Sequence, residues 1–324
     1  MEALILSHAL DTNGQNARYV RAAKKHGRDK AVLKALAIGK DDPAGVVARY
    51  AIAAEKLGGL SIRSAHKASH YFQFPHDIIW DRSTELEIRE LADRADVIHL
   101  NNSYRPVQRF HLRKPTLLHH HGSLFRNDPS HMLRVAAKNR WLQAVSTIDL
   151  QKSAPDVLHW LPSAYDIDAL AAFGKQHQRK PDGRVRIAHC PTNRALKHTD
   201  LFLAAVSELQ AEGLPVDLEL VEGKTWEESL KAKARADIVF DQLMFGYGCN
   251  SIEAWAMGKP VIAGADAWTL DRMQQEWQQL PFATAYDTTL IVELRYMVEH
   301  AELRQVWAAW GMRHVRKYHD EKPA

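Results

Sequence analysis

Short apolar runs alternate along this chain with stretches whose apolar positions recur every three to four residues. The first pattern predicts buried strands and the second amphipathic helices. In the first half the strand pattern covers residues 3–7, 31–38, 61–64, 96–101, 116–120, 142–145 and 157–160. Helical patterns lie between them at 14–26, 44–56, 84–94 and 130–138. Residues 161–183 lose the periodicity and carry Pro162, Gly174, Pro181 and Gly183, the composition of a connection. The alternation then restarts, with strands at 185–190, 216–221, 237–241, 260–263 and 282–285. Helices are predicted at 199–212, 226–235 and 250–257, and a long helical pattern from 291 to about 317 closes the chain.

Strand–helix alternation of this kind builds parallel sheets. The predicted fold class is α/β, two Rossmann-like doubly wound domains at 1–162 and 184–324 joined by a linker at 163–183. Ligands of such sheets collect at the carboxyl ends of the strands, so the expected active site is a cleft between the two domains.

Composition narrows the class. With 46% hydrophobic and 25% charged residues in 324, the chain holds enough apolar material for two cores, which excludes disordered and low-complexity readings. The two cysteines, Cys190 and Cys249, cannot form a disulfide scaffold or a four-thiolate zinc site, and a reducing cytoplasm is expected. Glu2 stands where a signal peptide needs a cation, and no stretch approaches the roughly 20 apolar residues of a membrane span. Any membrane contact is therefore expected to be peripheral. The formal net charge of +4 conceals an asymmetry. Residues 1–162 hold 24 Lys and Arg against 16 Asp and Glu, while residues 163–324 hold 19 against 23.

The segment 236–264, ADIVFDQLMFGYGCNSIEAWAMGKPVIAG, carries the most specific chemistry. A strand ends near Asp241, a loop follows with Gly246, Tyr247 and Gly248, and a helix opens with Asn250 and carries Glu253. Glycines ahead of a helix N-terminus leave backbone N–H groups open to an anion, and the helix dipole favours negative charge there. Glu253, one turn further, suits hydroxyl groups of a ribose. The segment resembles the nucleotide-sugar signature of retaining glycosyltransferases with the two-Rossmann GT-B fold, family four in particular. The matching residues are Ala236-Asp237-Ile238, Asp241-Gln242, Gly246-Tyr247-Gly248, Glu253-Ala254, Ala256 and Gly258-Lys259-Pro260-Val261-Ile262. Wider family members carry two glutamates eight positions apart, and here Phe245 occupies the first of these positions.

A second stretch, 186–209, is similar to the family's "H.PtnR..KGt" segment, with Arg194 and Lys197 in the cationic positions and His198 in place of the glycine. Two fixed cations suit a diphosphate leaving group, whose negative charge grows as the glycosidic bond breaks. In the first half, 95–102 and 114–126 resemble the family's amino-terminal strands, and His121-Gly122 matches the pair whose histidine faces the donor sugar. His119 and His121 share a strand face while His120 points away, so this run offers a metal two ligands at most, and no metal is expected. The loop after the opening strand keeps Asp11, Asn13 and Gly14 where relatives have a Gly-Gly pair. The Asp166-Ile167-Asp168 triplet spells a metal motif of a different fold and reads instead as the start of a helix.

The resemblance implies a metal-independent, retaining transfer of a sugar from a UDP- or GDP-linked donor, with no other cofactor. Arg194, Lys197 and the amides of Gly246–Gly248 would stabilise the diphosphate. Glu253 would hold the ribose, with Asn13, Gly14, Tyr247 and Asn250 also at the donor and His121 positioning the sugar. By the same analogy the last helix packs back on the first domain. The fold also serves nucleotide-sugar epimerases, for which Asp11 or Asp81 could act as acid or base, and a non-catalytic sugar-nucleotide binder, suggested by Phe245. The basic segment 101–114, with Arg105 and Arg109 beside Tyr104 and Phe110, suits an anionic acceptor such as a lipid phosphate, an acidic glycan or nucleic acid. Arg18, Arg21 and Lys25 form a cationic stripe on one predicted helix.

Overall fold

The computed structural model describes residues 32–321 except positions 41, 43, 68–71, 73 and 111. The predicted elements at 3–7 and 14–26, and with them Asp11, Asn13, Gly14, Arg18, Arg21 and Lys25, lie outside the described residues. Two compact units emerge, one running to Tyr165 and rejoined by the chain at Glu321, the other spanning Asp166–Asp320.

Among the described residues seven strands form the sheet of the first unit: β1 (Leu33–Gly39), β2 (Leu60–His66), β3 (Ile78–Ile79), β4 (Val97–Asn101), β5 (Thr116–His120), β6 (Leu142–Val145) and β7 (His159–Trp160). All pair in parallel, in the order β3-β2-β1-β4-β5-β6-β7. The apolar runs explain this arrangement, because strands of a parallel sheet are covered on both faces. Leu36 and Ile38 of β1, Ile98 and Leu100 of β4 and Leu118 of β5 are buried together with Ile88 and Phe125. The strand order reverses at β1, which has β2 on one side and β4 on the other. Helix Val46–Leu57 follows β1 and buries Val46, Val47, Tyr50, Ala53 and Ala54, the spacing of one helical face. Asp42 anchors its start, accepting from the N–H groups of Val46 (2.9 Å), Val47 (3.0 Å) and Ala48 (3.2 Å).

The second unit contains β8 (Val185–His189), β9 (Val216–Leu220), β10 (Ile238–Phe240), β11 (Phe245–Gly246), β12 (Val261–Ala265) and β13 (Ala283–Thr284). Its order is β11-β12-β10-β8-β9, with β13 also on β12, and only the β11–β12 pair is antiparallel. Phe202 and Phe240 stack at 4.5 Å in its core. Helix Trp226–Arg235 begins with a reciprocal capping box between Thr225 and Glu228. Both units are thus Rossmann-like, as the alternating pattern predicts.

Three local features refine the sequence pattern. Within 163–183 stands the helix whose start the Asp166 triplet marks, Ile167–His177, capped by Asp166, whose carboxylate accepts from Ala169 N–H at 2.8 Å. Ile167, Leu170 and Gly174 form its buried stripe. Gly174 is needed there, since a Cβ would meet the Cβ of Met257 at 2.8 Å. The segment holding Arg105 and Arg109 is the helix Arg105–Phe110. The closing pattern is two helices, Leu290–Glu299 and Ala301–Tyr318. The last packs on helix Cys249–Ala256 inside the second unit, where Gly311 lies so close to the Trp255 indole that a Cβ would stand 2.0 Å from Cδ1. Glu321, beyond it, belongs to the first unit: its N–H donates to the Tyr165 carbonyl at 2.9 Å, and its carboxylate pairs with Lys56 at 2.6 Å.

Candidate functional site

In the second unit the carboxyl ends of β8 and β10 bring Lys197 and Asp241 together. Asp241, the first residue after β10, is fully buried. One carboxylate oxygen accepts from Lys197 Nζ at 2.5 Å, and the other from Gly248 N–H (2.8 Å) and Ser251 Oγ (2.7 Å). Burial alone would raise its pKa. The Lys197 ammonium and these hydrogen bonds outweigh that effect and hold the carboxyl below its ordinary range. Asp241 therefore sits as an anion at the head of helix Cys249–Ala256, whose N-cap Gly248 supplies no side-chain cap of its own.

Gln242 shapes the intervening loop. Its amide nitrogen donates to Gly246 O at 2.6 Å, and its amide oxygen accepts from Met244 N–H (2.6 Å) and Phe245 N–H (2.8 Å). Gly246 has φ +80°, and a Cβ there would lie 2.2 Å from Met273 Cε. This is a position for glycine on both counts. At Gly248 a Cβ would stand 3.7 Å from Lys197 Nζ, so the glycine keeps the space beside the ammonium open.

Lys197 is placed by a turn in which its N–H donates to Asn193 O at 3.1 Å and Asn193 Oδ1 accepts from Leu196 N–H at 3.0 Å. His198 then takes a left-handed conformation (φ +53°) at the head of helix Thr199–Ala211. Behind the turn, buried His189 contacts the Phe240 carbonyl through Nδ1 (3.0 Å) and Thr199 Oγ1 through Nε2 (2.9 Å). The carbonyl only accepts, so Nδ1 carries the proton and Nε2 accepts from the threonine. Burial pushes this imidazole down to about 4, which keeps it neutral. Arg194 is exposed and held on two sides, by Glu222 (2.8 Å from both Nε and Nη2) and by Asp200 (3.0 Å).

Glu253 is 2% exposed. Its Oε1 accepts from the Trp226 indole N–H at 2.8 Å and its Oε2 from Lys233 Nζ at 2.5 Å. Lys233 is fully buried and also donates to Ser229 Oγ at 2.8 Å. Burial pushes the ammonium's pKa down, and the Glu253 charge more than restores it, leaving it above the ordinary lysine value.

Several expectations about individual residues change. The Gly248 N–H, expected to face a phosphate, is engaged by Asp241. Tyr247 is 6% exposed, its hydroxyl lying between His314 Nε2 (2.9 Å) and His319 Nε2 (2.8 Å) and its ring packed on Trp255 and Trp277. Its side chain is core. Asn250 donates from Nδ2 to the Cys190 carbonyl at 2.9 Å. Asp241, Trp226 and Lys233 were not read from the sequence as site residues. Asp241 had a signal in the Asp-Gln pair. Lys233 had one too, since it falls on the buried face of its helix with Ser229 and Leu230.

In the first unit His121 follows β5, its ring 4.1 Å from that of His119, and its N–H donates to Asn102 Oδ1 at 3.0 Å. Burial, with His99 and His120 adding to it, pushes its pKa down to about 3. His120 lies on the opposite face, against Phe125 (4.2 Å) and Gln143 (3.0 Å). Arg109 pairs with Glu85 and stands over the Trp80 ring at 5.8 Å, while Arg105 is exposed. Asp81 is not poised as an acid or base. Hydrogen bonds from Ser83 and Thr84 occupy its carboxylate and lower its pKa.

Among the described residues no helix is long and apolar enough to cross a membrane. No family model matches this chain, and no curated protein does. Solved structures do. The HepE protein of Anabaena in complex with UDP and glucose is similar at 15% identity and a TM-score of 0.62, over 89% of this chain and 96% of that one. Sucrose-phosphate synthase from Thermosynechococcus elongatus aligns at 12% identity and TM-score 0.57, over 89% and 95%. A putative UDP-N-acetylglucosamine 2-epimerase from Listeria monocytogenes aligns at 15% and 0.55, over 90% and 93%. At such identities the likeness is one of fold, and the fold is that of GT-B glycosyltransferases, two Rossmann-like units in one chain.

Proposed function

We propose that this protein transfers a sugar from a nucleotide-diphosphate donor, UDP- or GDP-linked, to an acceptor with retention of configuration. One observation carries the reading: Lys197, buried Asp241 and Gly248 converge at the head of helix Cys249–Ala256 on the carboxyl edge of the second sheet. A diphosphate bound there would accept from Lys197 Nζ, which has three donors and spends one on Asp241, and would share the helix-dipole potential. The complexes of HepE with UDP and with UDP-glucose support a uridine donor on this fold.

Asp241 then acts by aiming Lys197 rather than by touching the substrate. Arg194, held by Glu222 and Asp200, is the second cation for the charge that develops on the leaving group. Glu253, oriented by Trp226 and Lys233, is the residue that the motif resemblance assigns to the ribose hydroxyls. His121, kept neutral, contributes a hydrogen-bonding imidazole toward the sugar. Fixed cations at the diphosphate do what a metal does in other transferases. The surplus of positive charge in residues 1–162 favours an anionic acceptor, with exposed Arg105 as the leading contact.

Calorimetric titration of the full chain with UDP and with GDP tests the donor site. We expect one nucleotide per chain, with Lys197→Ala weakening it at least tenfold. Equal binding by wild type and Lys197→Ala would remove the assignment. Conversion of a free nucleotide sugar to its epimer, without any acceptor, would favour the epimerase activity instead.

A further inference from the structure

Among the described residues a second constellation stands in the first unit, at the carboxyl ends of β1 and β2. The sheet order reverses at β1, the kind of place where open parallel sheets take their ligands. Asp42, in the loop after β1, is 3% exposed; His66, the last residue of β2, is fully buried; His76, two positions before β3, is half-buried. One donor atom of each, a carboxylate oxygen and two imidazole nitrogens, lies within 4.8 Å of the others. The two imidazole rings are 4.2 Å apart. Nδ1 of His66 and Nδ1 of His76 are both buried without a hydrogen-bond partner. Buried polar atoms are rarely left so, and two on adjacent rings beside a carboxylate indicate a ligand that all three share.

We propose that Asp42, His66 and His76 bind a divalent transition-metal ion, with zinc the ion that this donor set suits best. Two imidazoles and one carboxylate make a three-ligand set that leaves a fourth position open. Zinc bonds of about 2.0–2.1 Å put tetrahedral ligand atoms about 3.3 Å apart, so the donors would draw in by at most about 1.5 Å. The carboxylate has capacity left. Oδ1 of Asp42 accepts one backbone N–H, that of Val46, and an oxygen has two lone pairs. The three N–H bonds to Asp42 also fix its orientation before any ion arrives. His66 Nε2 lies 3.3 Å from the Asn101 side-chain amide. With that amide turned to present its oxygen, Nε2 carries the proton and Nδ1 keeps its lone pair for the ion, the usual arrangement behind a ligating histidine. Arg49, whose charge acts on Asp42, is held between the Phe74 ring (4.8 Å) and the Tyr165 ring (4.1 Å) and donates to the Ala44 carbonyl. The ion is given no part in the donor chemistry proposed above, and the two readings stand or fall separately.

The full chain, purified without a histidine tag and stripped with chelator, is titrated with cobalt(II) chloride and then with zinc chloride. The expected result is one cobalt per chain with a visible d–d band of low-coordinate type, displaced by one equivalent of zinc. His76→Ala should weaken cobalt binding at least 100-fold and abolish the band, while His131→Ala leaves both unchanged. His66→Ala should behave as His76→Ala does. If it fails to fold by far-ultraviolet circular dichroism, His76→Gln at the half-buried position carries the test. No band in the wild type, or a band that survives both His76→Ala and His76→Gln, overturns the proposal. Loss of the band in His119→Ala but not in His76→Ala would move the ion to other histidines and also overturn it.

Discussion

The carboxylates of this site are held by cations, and which partner holds which carboxylate sets what each residue can do. Lys233 and Glu253 form a fully dry pair at 2.5 Å. Removing one partner of such a pair strands the other charge, at a cost of about 3–5 kcal/mol, whereas replacing both by neutral groups can be nearly neutral. Lys233→Met should therefore destabilise the fold by about 3–5 kcal/mol, and the double variant Lys233→Met, Glu253→Gln should recover most of it. Urea denaturation of the four members of the cycle checks this. Additive losses would mean that the pair is not coupled. Glu253 and Lys197 were legible in the sequence because motif spacing marks them. Their partners were not, since Lys233 and Asp241 come from elements 20 and 44 positions away and meet them only in the folded sheet.

At the scale of elements, the apolar runs located β5 and β6 to the residue and the longer β1 and β2 to within about two residues at either end. Of the two-residue strands, β7 and β13 fall inside longer predicted strands, whereas β3 and β11 show no period of their own and are missing from the predicted strands. The start of helix Ile167–His177 was legible at Asp166, but its length was masked by flanking prolines and an internal glycine, which is there for close packing on Met257 rather than to break the helix. The loop between β10 and helix Cys249–Ala256 depends on one buried amide and one left-handed glycine. Gln242→Ala would leave three backbone groups without their partner, and Gly246→Ala would drive a Cβ into Met273 at positive φ. Each should destabilise the second unit by about 1–3 kcal/mol. Each should also weaken nucleotide binding, because the same loop sets Gly248. Thermal melts with and without UDP measure both effects. Unchanged nucleotide affinity in a folded Gly246→Ala would separate the loop from the site.

For the whole molecule, two properties follow from how charge is distributed. Burial pushes His99 and His120 down to about 4, and it lowers His119 as well, with His121, His99 and His120 close by adding to the effect. A histidine with a depressed folded pKa binds more protons when unfolded. Its contribution is therefore complete above about pH 6.5 and is lost as pH falls toward the folded value, at up to about 1.4 kcal/mol per pH unit for each group. Below about pH 4 the depressed carboxyl of Asp241 adds its own loss. Denaturation midpoints should hold from pH 7.5 to about 6.5 and then fall steadily to pH 4.5, and a flat profile across the whole range would contradict the burial of these rings. The second property is the excess of Lys and Arg in residues 1–162. Replacing Arg105 and Arg109 together should impair transfer to an anionic acceptor far more than hydrolysis of the donor, and equal effects on both would sink that assignment. Arg109 is partly committed to Glu85, so Arg105→Ala alone should carry most of the effect.

The donor chemistry is the claim on which the functional account rests. Its most direct test is the release of free nucleotide from a panel of UDP- and GDP-sugars, comparing wild type with Lys197→Ala. The wild type should turn over at least one donor, and the variant should lose about 10²–10³ in rate, the scale expected when one fixed donor to a developing charge is removed. Turnover unaffected by Lys197→Ala, or no release from any donor in the panel, would contradict the claim.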